Sequence, residues 1–357
     1  MNKTISNQID ELLSNSGLFS LNRFDYKKLQ NLNFENETIL ITGAAGSIGS
    51  EITKQLLSYD FKRIILIDIA ESPLYELLKD LEQQKNDTID FVLINITDEE
   101  SLEWLFETYK PTIIFHTAAY KHVPLMESNP YEAVKTNIFG TKLLADLSIS
   151  SNVKKFIFIS TDKAVNPISV MGLSKHIAER YLLLLNSKQS KTSFLITRFG
   201  NIFGSNGSVV PLFLKQIETG KSLTITDYKI SRYFINKHKA CSLILQITSF
   251  EKTTHSIYTF NMGKPIKIID LAKKITSLNV YKNKKINIEI TELRPGEKLH
   301  EDIVSNNEIL ITTKHKDILL VTEKEKFKKK NLNFNTLKKI NPYMSPSKIK
   351  LILLSYI

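Results

Sequence analysis

Cys241 is the single cysteine among 357 residues, which excludes an intramolecular disulfide framework and any zinc site built from several thiolates. On a helix face a lone cysteine acts as a small apolar side chain. No apolar run approaches the roughly 18 residues that span a bilayer, and Met1–Asp10 lacks the charged start and apolar stretch of a secretory leader. The expected setting is therefore cytoplasmic, with no transmembrane segment. No repeat of a period that would build a solenoid or propeller is present. The histidines His116, His122, His176, His238, His255, His300 and His315 are scattered without a pair at ligand spacing, so no metal is expected. Arginine is scarce, with only Arg23, Arg63, Arg180, Arg198, Arg232 and Arg294. The formal charge is +11, but nine lysines against two glutamates put +7 of it in residues 322–357. Basicity gathered in a tail does not argue for a nucleic-acid partner, and none is expected.

What is present is a 42% hydrophobic chain, long enough for a large buried core. Short apolar runs at Thr38–Thr42, Arg63–Asp68, Phe91–Ile94, Thr112–Thr117, Phe156–Ser160 and Phe194–Arg198 read as strands buried on both faces. Amphipathic stretches at Ser47–Ser58, Leu74–Gln84, Glu99–Tyr109, Tyr131–Ser150 and Val170–Leu185 alternate with them. Strand and helix in this rhythm predict an α/β fold, a Rossmann-type doubly wound parallel sheet. Four regions follow. Residues 1–36 form an N-terminal appendage, helical around Ile5, Ile9, Leu12 and Leu13 and packed on the sheet domain. Residues 37–200 form the sheet domain. Residues 201–321 form a smaller substrate-binding lobe, with helices near Val209–Thr219 and Lys237–Thr248, interleaved with the last sheet strands. Residues 322–357 form a Lys-rich tail.

The first strand runs into Gly43-Ala44-Ala45-Gly46-Ser47-Ile48-Gly49 and then a helix. Glycines at this spacing permit a tight turn and let a pyrophosphate approach the amide-rich helix N-terminus. A glycine triplet alone is weak evidence; its place after the first buried strand strengthens it. Asp68 ends the second strand, where a carboxylate accepts the adenosine ribose hydroxyls and repels a 2′-phosphate, favouring NAD over NADP.

The fifth strand ends in Ser160-Thr161-Asp162-Lys163-Ala164-Val165-Asn166-Pro167, and the next helix carries Met171 and Lys175. Here the chain resembles the extended short-chain dehydrogenase/reductases of the polysaccharide-biosynthesis type, the nucleotide-sugar 4,6-dehydratases. The resemblance rests on TGAAGSIGSE, HTAAYKHVPLME, STDKAVNPISVMGLSK, RFGNIFGSNGSVVP and LRPGEKLHE, which together span residues 42–301. That superfamily normally places Tyr four residues before Lys175. This chain has Met171, and a thioether takes no proton from a hydroxyl. Met at this place resembles the branch that forms UDP-4-keto-6-deoxy-N-acetylglucosamine with C5 configuration retained.

The resemblance implies a tightly bound, recycled NAD and a UDP-sugar substrate. Asp162 would take the C4 hydroxyl proton and return it to the departing C6 oxygen, Lys163 would remove the C5 proton, and Thr161 would hold the C4 oxygen. A neutral Lys163 costs roughly 4–5 kcal/mol at pH 7 unless its surroundings lower its pKa. The resemblance also places Gly43, Ala45, Gly46, Ser47, Ile48, Gly49, Asp68, Asn95, Ile96, Ala118, Ala119, Tyr120, Asn137 and Lys175 around the cofactor. Asn95 stands where the family has the Asp that meets adenine. Lys121, Asn201, Arg232, Arg294 and Glu297 would face the nucleotide diphosphate and its ribose. His116 reads as a satisfied core residue. Helices Tyr131–Ser150 and Val170–Leu185 resemble the superfamily's four-helix dimer interface, implying a homodimer. Longer relatives carry an N-terminal membrane region, and this chain reads as the freestanding dehydratase portion. The tail is expected to pack as a helix or strand. Alternatives are a nucleotide-sugar 4-epimerase, against which Asp162-Lys163 argues, and a non-catalytic NAD-binding module.

Overall fold

The computed structural model describes residues 2–19, 28–29, 31–82, 87–189, 191–250, 256–281, 286–324 and 332–357. After α1 (Lys3–Ser14) come β1 (Phe34–Thr42), α2 (Ser47–Leu56), β2 (Phe61–Asp68), α3 (Glu71–Asp80), β3 (Ile89–Leu93), α4 (Glu99–Tyr109) and β4 (Ile113–His116). Next are α5 (Val123–Ser128), α6 (Pro130–Ala133), a π-helical turn over Val134–Gly140, α7 (Thr141–Ser150), β5 (Lys155–Ile159), α8 (Val170–Lys188) and β6 (Ser193–Arg198). The second half contains β7 (Asn201–Phe203), α9 (Val209–Glu218), β8 (Leu223–Ile225), β9 (Ser231–Arg232), β10 (Phe234–Asn236), α10 (Lys237–Ile247), β11 (Ile257–Phe260), β12 (Ile266–Lys267) and α11 (Ile268–Thr276). It ends with β13 (Ile288–Ile290), β14 (Glu308–Thr312), β15 (Ile318–Glu323), α12 (Phe334–Lys338) and α13 (Pro346–Leu354).

Nine strands form one sheet in the order β14, β15, β11, β6, β5, β4, β1, β2, β3. The pairs from β3 through β11 are parallel, and β15 and β14 add an antiparallel edge. The doubly wound α/β reading holds, and the strand order reverses between β1 and β4, where such sheets take their ligands. Register decides what meets there. Thr42 lies opposite Ile67 on one side and His116 on the other, and His116 opposite Phe158, so the loops after β1, β2, β4 and β5 leave the sheet side by side.

Successive side chains of each central strand enter opposite layers. Ile39, Ile41, Ile64, Leu66, Phe115 and Ile157 pack under α2 and α10, where Cys241 is buried as a small apolar group. Leu40, Ile65, Ile67, Ile114, Phe156 and Phe158 pack under α4, α7 and α8. The smaller lobe has its own core around Phe203, Val210, Phe213, Leu223, Ile225 and Leu271, whereas α10, expected in that lobe, packs beside α2 on the sheet because its apolar stripe matches that layer.

Of the remaining expectations, one needs correction and two gain detail. The N-terminal helix forms, but Ile9, Leu12 and Leu13 enter the core of the smaller lobe and α1 lies against α11, while Leu29 and Leu32 of the same appendage pack on the sheet-domain core as expected. An amphipathic stripe fixes that a helix is buried, not against which neighbour. The helix expected over Tyr131–Ser150 forms and runs unbroken through α6, the π turn and α7. The extra residue in the π turn shifts the helical phase, which a 3.6-residue pattern does not foresee. Finally, part of the surface expected to meet a second copy carries the chain's own C-terminal segment. Leu337, Ile340, Ile349, Leu353 and Tyr356 pack on Met126, Ala133, Val134, Ile138 and Ile177. The expected packing of the tail is thus helical; residues 325–331 of it, and Gln83 and Gln84 at the end of the expected helix Leu74–Gln84, lie outside the described residues.

Candidate active site

The glycine loop turns directly from β1 into α2. A Cβ on Gly49 would lie 2.3 Å from the Gly43 carbonyl oxygen and 2.8 Å from Ala44 Cα, so only glycine lets the helix start this close to the strand. Gly46 is the N-cap of α2, without a capping side chain, and Ser47 and Ile48 begin the first turn. Asp68 holds the loop: its Oδ2 accepts from Ala45 N at 3.0 Å and its Oδ1 from Ala70 N at 3.0 Å. The Asn95 carboxamide oxygen is engaged locally by Thr97 N and Oγ1, while Ile96 is buried against Gly140 of the π turn. Ala118 N donates to Thr42 Oγ1 at 3.3 Å, beginning the Ala118, Ala119, Tyr120 segment. Asn137 clamps that segment, accepting from Tyr120 N at 2.9 Å, donating to Tyr120 O at 3.0 Å and also to Ser174 Oγ at 3.0 Å. These residues fit a dinucleotide. They offer a cradle that a Cβ would fill, an uncapped helix N-terminus for a pyrophosphate and a strand-end carboxylate for ribose hydroxyls.

Two strand positions away, β5 ends in a 3₁₀ turn over Asp162–Ala164, N-capped by Thr161. Asp162 is 1% exposed; its Oδ1 accepts from Thr161 Oγ1 at 2.9 Å and from Lys163 Nζ at 3.0 Å, while its Oδ2 is buried without a hydrogen-bond partner. Lys163 Nζ also donates to Asn201 Oδ1 at 3.2 Å and lies 3.6 Å from Glu301 Oε1. A Cβ on Gly172 would sit 2.2 Å from the Lys163 carbonyl oxygen, so a glycine on α8 lets the helix press against this turn. On the same helix Lys175 is buried with its Nζ 3.8 Å from the centre of the Phe158 ring, a cation–π geometry. Burial pushes the Lys175 amine down to about 7, against the opposing charge of Glu179. Met171, one turn earlier, packs in the apolar cluster with Met126, Val134 and Ile138. His116 is a buried core residue, with Nδ1 2.7 Å from Thr42 Oγ1 and Nε2 2.9 Å from Thr141 Oγ1; burial, then Lys175, push its pKa well below the ordinary value.

Across from this turn, Arg232 is buried and donates to Ser231 O at 2.8 Å, Leu299 O at 3.1 Å and Glu297 Oε1 at 3.4 Å. Glu297 Oε2 accepts from Arg294 N at 3.2 Å, which draws Arg232, Glu297 and Arg294 into one group. Lys121 Nζ donates to Asn206 O at 3.0 Å, and Asn206 N reaches Ser47 Oγ at 3.3 Å, joining the smaller lobe to the glycine loop. Asn201, expected beside a diphosphate, accepts from Lys163 through its Oδ1.

The fold therefore brings Thr161, Asp162, Lys163 and Asn201 into contact. Two residues of this neighbourhood were passed over in sequence, although both lie in the motifs quoted above. Glu301 ends LRPGEKLHE. Glu127 ends HTAAYKHVPLME; its Oε1 accepts from Val170 N at 2.7 Å and its Oε2 pairs with Lys350 of α13 at 2.8 Å, tying the start of α8 to the tail. Among the described residues no cluster of His, Cys, Asp and Glu could hold a metal ion, and no helix is long and apolar enough to cross a membrane.

The profile described as "Polysaccharide biosynthesis protein" matches residues 39–323. The capsular polysaccharide biosynthesis protein CapD of Staphylococcus aureus is 45% identical over 276 residues, 77% of this chain and 46% of CapD. The chain thus spans about half the length of this relative. A UDP-N-acetylglucosamine 4,6-dehydratase (inverting) of Campylobacter jejuni is 32% identical over 85% of this chain and 87% of its own. Proteins named UDP-glucose 4-epimerase from Rickettsia species match at 32–34% identity. Among solved structures, Pen from Bacillus thuringiensis superposes with a TM-score of 0.75 at 27% identity, covering 91% of this chain and 99% of that one.

Proposed function

The chain belongs to the polysaccharide biosynthesis protein family, and from that premise we propose that it is an NAD-dependent nucleotide-sugar 4,6-dehydratase. Its substrate in this reading is UDP-N-acetylglucosamine, and its product the 4-keto-6-deoxy sugar with C5 configuration retained, made for a surface polysaccharide or glycan. The observation that carries the reading is the pair at the end of β5, the half-buried Lys163 with its Nζ 3.0 Å from Oδ1 of the buried Asp162, whose Oδ2 is left unpartnered. Abstracting a proton beside a ketone while expelling a hydroxyl needs one base and one acid, and these two groups meet that demand.

Residues Gly43 to Gly49, Asp68 and Lys175 would hold NAD, which when bound supplies the hydride acceptor for C4 and returns the same hydride to C6. Asp162 Oδ2 takes the proton of the C4 hydroxyl while Thr161 Oγ1 steadies that oxygen. Lys163 in its neutral form removes the C5 proton, made acidic by the adjacent ketone. Asp162 then gives its proton to the C6 oxygen, which leaves as water, and Lys163 returns a proton to C5 from the same face. Met171 takes no part in proton transfer, which leaves that work to the Asp162-Lys163 pair.

Incubation with UDP-N-acetylglucosamine and mass analysis of the product tests this: dehydration makes the product lighter by one water, whereas 4-epimerisation conserves mass. The C5 configuration is read by NMR. Asp162→Asn and Lys163→Met should each lower kcat by about 10²–10⁴. Wild-type dehydration rates in both variants would defeat the assignment.

A further inference from the structure

We propose that Glu301 is a positioning residue for Lys163, its carboxylate holding the amine opposite Asp162 and setting the pH at which that amine gives up its proton. Three oxygens from three segments converge on Lys163 Nζ: Asp162 Oδ1 at 3.0 Å from the end of β5, Asn201 Oδ1 at 3.2 Å from β7, and Glu301 Oε1 at 3.6 Å from the segment before β14. The Glu301 side chain is 4% exposed, and its Oε2 is buried without a hydrogen-bond partner. Lys298 Nζ is 3.8 Å from that oxygen but donates to Val165 O at 3.0 Å. A carboxylate withdrawn from water this far is costly unless a cation answers it, and the amine of Lys163 is the nearer of the two.

The charged groups that bear on Glu301 are Lys163, Asp162, Arg232 and Lys298, and Arg232 is already paired with Glu297 at 3.4 Å. Burial, with Asp162 adding to it, raises the Glu301 pKa against the pull of the three cations. Once Glu301 is ionised, Lys163 faces two carboxylates instead of one. Each favours the ammonium form, so removal of either lowers the proton affinity of the amine. Asp162 is committed to proton exchange with substrate in the dehydratase reading; Glu301 is the partner whose charge stays in place when Asp162 is neutralised. The kinetic consequence rests on that reading, but the titration of Lys163 does not.

The test is competitive acetylation of the full chain with limiting acetic anhydride from about pH 6 to 11, with modification of Lys163 followed by peptide mass spectrometry. In Glu301→Gln the midpoint for Lys163 moves down by about 1–2 pH units, while Glu301→Asp, which keeps the charge, stays near wild type. Glu301→Leu gives the same downward movement and serves if the Gln variant does not fold. With UDP-N-acetylglucosamine, the acidic limb of the kcat profile moves down with the labelling midpoint and KM changes less than about twofold. An unmoved or raised Lys163 midpoint in the uncharged variants overturns the proposal, as does a fall in kcat with the midpoint unchanged. A shifted midpoint in a chain that does not dehydrate UDP-N-acetylglucosamine would leave Glu301 in its role and remove the dehydratase reading instead.

Discussion

Lys175 illustrates how one residue carries a charge the fold does not welcome. Its amine sits on the Phe158 ring inside the sheet layer, and burial brings its pKa to about 7. In the unfolded chain the same amine titrates near 10.4. Between about pH 7 and 10 the unfolded chain therefore binds a proton that the folded chain has released, so stability rises with pH across that window. Below about pH 7 both states are protonated, and the contribution no longer changes. Lys175→Met should flatten this slope, which urea midpoints measured at several pH values would show; an unchanged slope would mean that the amine is solvated in the folded protein. Spacing alone places Lys175 near Met171 on one helix. The low proton affinity comes from burial under the covering layer, which no local pattern encodes. The same contrast holds at Asp162 and Glu301, since adjacency in sequence announces the first beside Lys163, and only the return of the chain after β13 supplies the second.

At the scale of elements, the approach of α2 to β1 is set by absent side chains. Gly49→Ala places a methyl carbon 2.3 Å from the Gly43 carbonyl oxygen, so the loop must move. Such overpacking costs about 1–3 kcal/mol, and the displaced amides should weaken NAD binding by at least about tenfold. Calorimetric titration with NAD alongside thermal melting checks both; unaltered affinity would show that the loop does not carry the pyrophosphate. Most of the strands and helices of the sheet were legible because apolar runs and amphipathic stretches alternate cleanly. The π turn was not, because its phase shift answers a tertiary demand: Asn137 reaches Tyr120 and Ser174 from within it. The direction in which α1 packs was also hidden, since its apolar stripe matches either the sheet domain or the smaller lobe.

In the molecule as a whole, the C-terminal segment closes over the helices that carry the candidate site. Leu337, Ile340, Ile349, Leu353 and Tyr356 are buried there, and Lys350 pairs with Glu127 at the start of α8. Fully burying such a side chain contributes about 1.5–3 kcal/mol before chain entropy opposes it. Removal of residues 332–357 should then lower the melting temperature by about 5 °C or more, with increased binding of a hydrophobic dye at the uncovered face. A truncated chain that melts with the full one would show that the segment contributes nothing to α8. By itself the sequence determined the doubly wound sheet, the glycine turn, the strand-end Asp68 and the Asp162-Lys163 pair, because each is encoded by periodicity or by neighbours along the chain. Only the tertiary structure decided that Glu301 and Asn201 converge on Lys163, that Glu127 joins α8 to the tail, and that α12 and α13 cover α6 and α8. Those contacts join segments tens to hundreds of residues apart, and their partners are chosen by how buried surfaces and buried charges are jointly satisfied, which no window of sequence contains.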